Sequence, residues 1–189
     1  MKVFISGGCK NGKSHQAQRL AKHQQGKGGG ALYYIATMNA ADHEDDERIK
    51  RHREERDGWG FATIEQWQNI EAILGGCERE GSFLLDSVTA LLANEMFGAD
   101  GAVHTGASEK IAAGLLKILN QINNIVIVSD YIYSDAILYD PMTEEYRKSL
   151  ARLDRLVAQH CDAVLEVCCA QVIIHKGKEA FGAAFERVC

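Results

Sequence analysis

Gly7-Gly8-Cys9-Lys10-Asn11-Gly12-Lys13-Ser14 is a complete G-x-x-x-x-G-K-[ST] run, close to the start of the chain. Each residue type in it suits a polyphosphate. Glycines let backbone N–H groups curl around phosphate oxygens, and the N-terminus of a following helix adds partial positive charge. Lys13 is placed to reach the β- and γ-phosphate oxygens. The Ser14 hydroxyl is placed to bind the Mg²⁺ that travels with a nucleoside triphosphate. A Gly-rich turn can match this pattern by chance, so the flanks decide. Val3-Phe4-Ile5-Ser6 reads as a short buried strand and His15–Lys22 as a helix, the strand–loop–helix order that a phosphate loop needs. The run Gly7, Gly8, Cys9, Lys10, Asn11, Gly12, Lys13 and Ser14 is therefore assigned to nucleotide binding.

Two further groups could work with that loop. Ser82-Phe83-Leu84-Leu85-Asp86 ends an apolar strand in a carboxylate. Asp86 in that position can hold Mg²⁺ directly or through water, and it can equally cap the helix that begins after Ser87. The segment Asp42–Arg56 is dense in charge, and a charged helix taken alone is usually a solvated face. Within it Arg48, His52 and Arg56 fall on one helical stripe at i, i+4 and i+8. A histidine between two guanidiniums would stay neutral and nucleophilic, and the same cations would clamp a phosphate beside it. The residues alone leave both readings open, surface histidine and nucleophile.

These groups need a scaffold, and the pattern along the chain supplies one. Strands are expected at Lys2–Ser6, Ala31–Ala36, Phe61–Glu65, Ser82–Asp86, Ile125–Ser129 and Ala163–Cys169, with a further one at Val172–His175. Helices are expected at Lys13–His23, Asp42–Arg56, Gln68–Arg79, Val88–Phe97, Ala107–Ile122 and Thr143–His160. The alternation predicts an α/β fold, a mostly parallel sheet with helices on both faces. No repeat or linker divides the chain, so residues 1–189 are expected to form a single P-loop nucleotide-binding domain. Gly26-Lys27-Gly28-Gly29-Gly30 reads as a connector at the N-terminal edge of the sheet, away from the edge where ligands gather. Gly98–Gly106 reads as a surface loop.

Composition narrows the class. The apolar fraction is 46%, the charged fraction 25% and the formal charge −5, which suits an ordinary soluble globular protein and argues against a general nucleic-acid binder. There is no signal segment or apolar run long enough to span a bilayer, so a cytoplasmic location is expected. Six cysteines without a C-x-x-C, and seven histidines without an H-x-x-x-H pair, point to reduced thiols and away from structural zinc. Cys9, inside the phosphate loop, is an oxidation liability.

At this point the residues resemble a known family, the adenosylcobinamide kinase/adenosylcobinamide-phosphate guanylyltransferases of cobalamin biosynthesis. Val3–Ser14 is similar to its strand and phosphate loop, and Tyr34-Ile35-Ala36-Thr37 to its Y-I-A-T strand. Asp42, Glu44, Arg48, Ile49, His52 and Arg56, followed by Trp59, fit its D-x-E-x-x-x-R-I-x-x-H-x-x-x-R helix. Leu84-Leu85-Asp86-Ser87-Val88-Thr89 with Asn94 and Phe97 looks like its L-L-[DE]-C-[LI]-T-x-x-x-x-N segment. The resemblance implies a RecA-like P-loop fold assembled as a homotrimer, with GTP or ATP and a corrinoid as substrates. It also implies that His52 accepts GMP as a covalent phosphoramidate, with Arg48 and Arg56 as phosphate clamps. The later part departs from the pattern. V-[ST]-N-E-V-G reads here Val128-Ser129-Asp130-Tyr131-Ile132-Tyr133, and R-D-x-x-G-x-x-N-Q reads Arg147-Lys148-x-x-Ala151-x-x-Asp154-Arg155. Cys161-Asp162-Ala163-Val164 still fits its A-D-x-V strand entry.

Two other functions fit the phosphate loop: a small-molecule kinase without a covalent intermediate, and a nucleotide sensor whose later half binds a partner. Tyr131, Tyr133, Tyr139 and Tyr146 either line a planar-ligand site or serve as core and interface.

Overall fold

Short runs of β-branched and aliphatic residues set the frame: Lys2–Gly7 (β1), Leu32–Ala36 (β2), Ala62–Glu65 (β3), Ser82–Asp86 (β4), Asn124–Val128 (β5), Ala163–Cys168 (β6) and Gln171–Lys176 (β7). The computed structural model describes residues 1–39, 47, 50, 53, 54, 56–98 and 102–181. Among these the strands form one sheet in the order β3-β2-β4-β5-β1-β6-β7. All neighbours pair in parallel except β6 and β7, which form an antiparallel hairpin at one edge. The central strands bury both faces, which is why β4 and β5 carry continuous apolar runs and not an alternating pattern.

Two apolar layers cover the sheet. On one face Val3, Ile5, Leu84 and Val126 pack under Ala17, Leu20 and Ala21 of Lys13–Gly28 (α1). On the other, Phe4, Phe83, Leu85 and Ile127 pack under Val88–Met96 (α2), Ala107–Gln121 (α3) and Pro141–His160 (α4). The short helix Lys178–Phe181 (α5) follows β7 and brings Phe181 to the α1 face. Helices on both faces of a mostly parallel sheet match the expectation.

Helix ends follow local chemistry. Ser87 caps α2 by accepting from the Ala90 N–H, and Asp140 caps α4 by accepting from Met142 and Thr143, with Pro141 at the first helical position. The helix expected at Gln68–Arg79 is instead a single 3₁₀ stretch, Ile70–Gly75. Only Ile70 and Ile73 bury there, three residues apart, and Gly75-Gly76 offers nothing to extend it. Helix α1 runs past His23 to Gly28, so part of the expected glycine connector is helical. It is held there by the buried Gln24, whose Nε2 donates to the Met1 carbonyl at 3.0 Å.

Candidate functional site

Parallel strands bring their C-terminal ends to one edge, and the chemistry gathers there. The phosphate-loop sequence leaves β1 at Gly7. A Cβ at Gly7 would run into the carbonyl oxygen of Val167 on β6, so only glycine lets the two strands approach this closely. Asn11 Nδ2 donates to that same Val167 oxygen and ties the loop to β6. Lys10 and Gly12 turn the chain through left-handed conformations (φ 56° and 93°), and α1 begins at Lys13. Gly8, Cys9, Lys10 and Gly12 are exposed and Ser14 is half-buried.

Lys13 is only 5% exposed, yet its ammonium is fully engaged. Nζ donates to the Gly8 carbonyl at 2.6 Å and pairs with the Asp130 carboxylate at 2.8 Å. Asp130 follows β5, the strand between β1 and β4. Its N–H donates to Thr89 Oγ1 at 2.8 Å, while the N–H of Tyr131 donates to the Gly7 carbonyl at 2.9 Å. The tip of β5 is thus fastened to the phosphate loop on one side and to α2 on the other. Sequence reasoning gave Asp130 no role. Its partner lies 117 residues away, and the only signal was that it stands where the family pattern has asparagine.

Asp86 ends β4, one strand further along. Tyr34 donates its hydroxyl to Asp86 Oδ2 at 2.8 Å, and the Arg56 guanidinium lies 3.7 Å above the Tyr34 ring. Burial, with the Asp86 charge beside it, pushes the Tyr34 hydroxyl well above the usual tyrosine range, so it stays a neutral donor. Tyr34, Arg56 and Asp86 line a cavity of about 380 Å³ together with Lys50, Arg53 and Trp67. Arg53 pairs with Glu65 at the end of β3. Asp86 therefore faces this cavity, at the ends of β2, β3 and β4, and Asp130 is the carboxylate paired with Lys13. Arg48 and His52 lie outside the described residues.

The motif segments lock to one another. Thr37 Oγ1 exchanges hydrogen bonds with the backbone of Ser87, at 2.7 Å to its carbonyl and 2.6 Å from its N–H. Asn94 Nδ2 donates to the Thr37 carbonyl at 2.6 Å. The strand after the loop and the helix after Asp86 are held in fixed relation by these bonds. Trp59 packs edge-on against His15 of α1, ring centroids 5.9 Å apart.

Behind Asp130 lies a second acid. Asp154 on α4 is 2% exposed, accepts from the Tyr133 hydroxyl at 3.2 Å, and has no partner for Oδ1. Burial pushes its carboxyl up to about 7, against hydrogen bonds from Ser129 and Tyr133 that pull it down. Arg147 bonds to the Ile132 carbonyl, Glu144 and Asp135, and lies over the Tyr139 ring. Of the four tyrosines, Tyr131 and Tyr139 are exposed, while Tyr133 and Tyr146 are partly buried with polar partners.

A strand–loop–helix phosphate cradle at the C-terminal edge of a β3-β2-β4-β5-β1 parallel order defines a P-loop nucleotide-binding fold of the RecA-like kind. Solved structures agree on the fold. The flagellar accessory protein FlaH of Methanocaldococcus jannaschii superposes with a TM-score of 0.53 at 16% identity, over 96% of this chain and 80% of that one. A KaiC-like protein of Pyrococcus horikoshii gives 0.50 at 13%, over 94% and 79%. The chain belongs to the cobinamide kinase/cobinamide phosphate guanyltransferase family, whose model matches residues 3–173. It is 30% identical to the bifunctional adenosylcobalamin biosynthesis protein CobP of Pseudomonas aeruginosa, over 87% of this chain and 91% of that one. It is 32% identical to the bifunctional adenosylcobalamin biosynthesis protein CobU of Escherichia coli over 53% of each chain. The chain is thus an enzyme of a transferase family acting on phosphorus-containing groups. Among the described residues no helix is long and apolar enough to cross a membrane.

Proposed function

We propose that this chain phosphorylates adenosylcobinamide with a nucleoside triphosphate and then transfers GMP from GTP to that phosphate through His52. The observation that carries the reading is the pairing, on one sheet edge, of a phosphate loop with a separate cation-lined cavity. In the first reaction the acceptor hydroxyl oxygen attacks the γ-phosphorus, the bond to the β-phosphate oxygen breaks, and the nucleoside diphosphate leaves. Lys13 and the loop N–H groups would hold the triphosphate in line and neutralise its charge. In the second, the His52 imidazole attacks the α-phosphorus of GTP and pyrophosphate leaves. The phosphorylated corrinoid then displaces the histidine, giving the GDP derivative. Arg56, fixed over Tyr34, would clamp the phosphate in the cavity, and Arg48 is proposed as a second clamp.

The donors available for Mg²⁺ are the Ser14 hydroxyl and the Asp86 carboxylate, hard oxygens that fit an ion keeping its other positions for phosphate and water. When bound, that ion would neutralise charge on the phosphates. The exposed apolar run Ile137, Leu138, Tyr139 and Met142 beside the β5 tip would be covered in a homo-oligomer, the trimer of our reading.

The test is intact mass after incubation with GTP and Mg²⁺, wild type beside His52→Ala. An acid-labile adduct of one GMP, absent from the variant, is expected. A protein that binds GTP but forms no adduct would leave a plain kinase or a nucleotide sensor.

A further inference from the structure

The phosphate-loop lysine is occupied by the chain itself. Lys13 Nζ sits between the Gly8 carbonyl and the Asp130 carboxylate, in the region that a β- or γ-phosphate oxygen would take. Asp130 cannot drift away, because its own N–H is held by Thr89 Oγ1 and the next N–H by Gly7. Asp86, the other carboxylate on this edge, is engaged by Tyr34 and faces the cavity.

We propose that Asp130 is a catalytic acid–base residue of the kinase step, held on Lys13 when no nucleotide is bound and released toward the acceptor when the triphosphate takes the lysine. This rests on the phosphoryl-transfer reading above. A triphosphate must first displace the Asp130 carboxylate from Lys13. The displaced carboxylate, still fastened through its backbone, then stands beside the γ-phosphate. As the acceptor oxygen bonds to the γ-phosphorus and the β-side oxygen leaves with its electron pair, Asp130 takes the hydroxyl proton. The same contact makes Asp130 a competitor of the nucleotide, so one side chain opposes binding and promotes turnover.

A structural role predicts that removing Asp130 weakens both functions; this proposal predicts opposite signs. Mg²⁺·ATP affinity would be measured by calorimetry, and phosphorylation of adenosylcobinamide by product mass, for wild type and Asp130→Asn. The variant should bind ATP several-fold more tightly and lose about 100-fold or more in kcat, the usual contribution of a general base. Asp130→Ser, smaller and also uncharged, covers the case in which the amide misfolds. Asp130→Glu should restore affinity toward that of wild type and part of the turnover. Unchanged or weaker ATP binding in both neutral variants, or tighter binding with wild-type turnover, would overturn the proposal. If wild type itself phosphorylates no acceptor, the kinase reading fails. The affinity comparison then still decides whether Asp130 competes for Lys13.

Discussion

Asp154→Asn should stabilise the protein at alkaline pH and do almost nothing at acid pH. Asp154 is 2% exposed, and burial raises its carboxyl from an ordinary value of 3.8 to about 7. Between those values the folded state binds the proton more tightly than the unfolded chain does. Stability from this group is therefore complete below about pH 3.8 and is lost as pH rises through about 7. At about 1.4 kcal/mol per pH unit, the full cost of ionising it in place is about 4 kcal/mol. Asparagine keeps the shape and an oxygen to accept from Tyr133 and Ser129, and it cannot ionise. The gain over wild type should therefore grow from under about 1 kcal/mol at pH 4 to about 4 kcal/mol at pH 8. At this chain length that is a Tm rise of roughly 8–16 °C at pH 8. Urea unfolding of both proteins across that range measures it, since all other titrations cancel in the difference. A difference that does not vary with pH, or a loss at pH 8, would refute the argument that Asp154 is buried as an unpaired acid.

Two further substitutions test the cradle and the cavity. Gly7→Ala forces a methyl group against the Val167 carbonyl, so the loop must shift; we expect ATP affinity to fall at least about tenfold and stability to drop by roughly 2 kcal/mol, read by calorimetry and urea unfolding. Arg56→Ala removes the guanidinium stacked on Tyr34, and GMP-adduct formation should slow at least about tenfold; Arg56→Lys should not rescue it, because an ammonium cannot stack as a plane and hold a phosphate with two donors.

The parallel sheet was legible because burial on both faces demands uninterrupted runs such as Phe83-Leu84-Leu85 and Ile125–Val128, and the phosphate loop because its backbone needs dictate its letters. The helix expected at Gln68–Arg79 was not, because two isoleucines and a cysteine mimic helical spacing that the Gly75-Gly76 pair cuts short. The links that assemble the site were out of reach for another reason. Tyr34 meets Asp86 across 52 residues, Thr37 meets Ser87 across 50, and Lys13 meets Asp130 across 117. No local pattern encodes such pairings; only the strand order does. Asp86 ends β4 and Asp130 follows the neighbouring β5, on the edge that carries the phosphate loop, an adjacency that only the strand order supplies.

The departures from the family pattern in the later half bear on whether that half has decayed. Asp130 stands in place of asparagine and pairs with Lys13. Tyr133 stands in place of glycine and Asp154 in place of asparagine, and these two bond to each other at 3.2 Å. Arg147, the residue of that helix that is kept, fastens the intervening loop through Ile132, Asp135 and Glu144. The departures divide: Tyr131, Lys148 and Arg155 are exposed, while Asp130, Tyr133 and Asp154 each meet another residue of the chain. Here the added hydroxyl meets the added carboxylate, and the added charge meets the phosphate-loop lysine. Asp154 without Tyr133 would be a buried acid short of another hydrogen bond, and such a group is costly. The Tyr133–Asp154 contact is thus a pair of departures in which each residue supplies the other's hydrogen-bond partner.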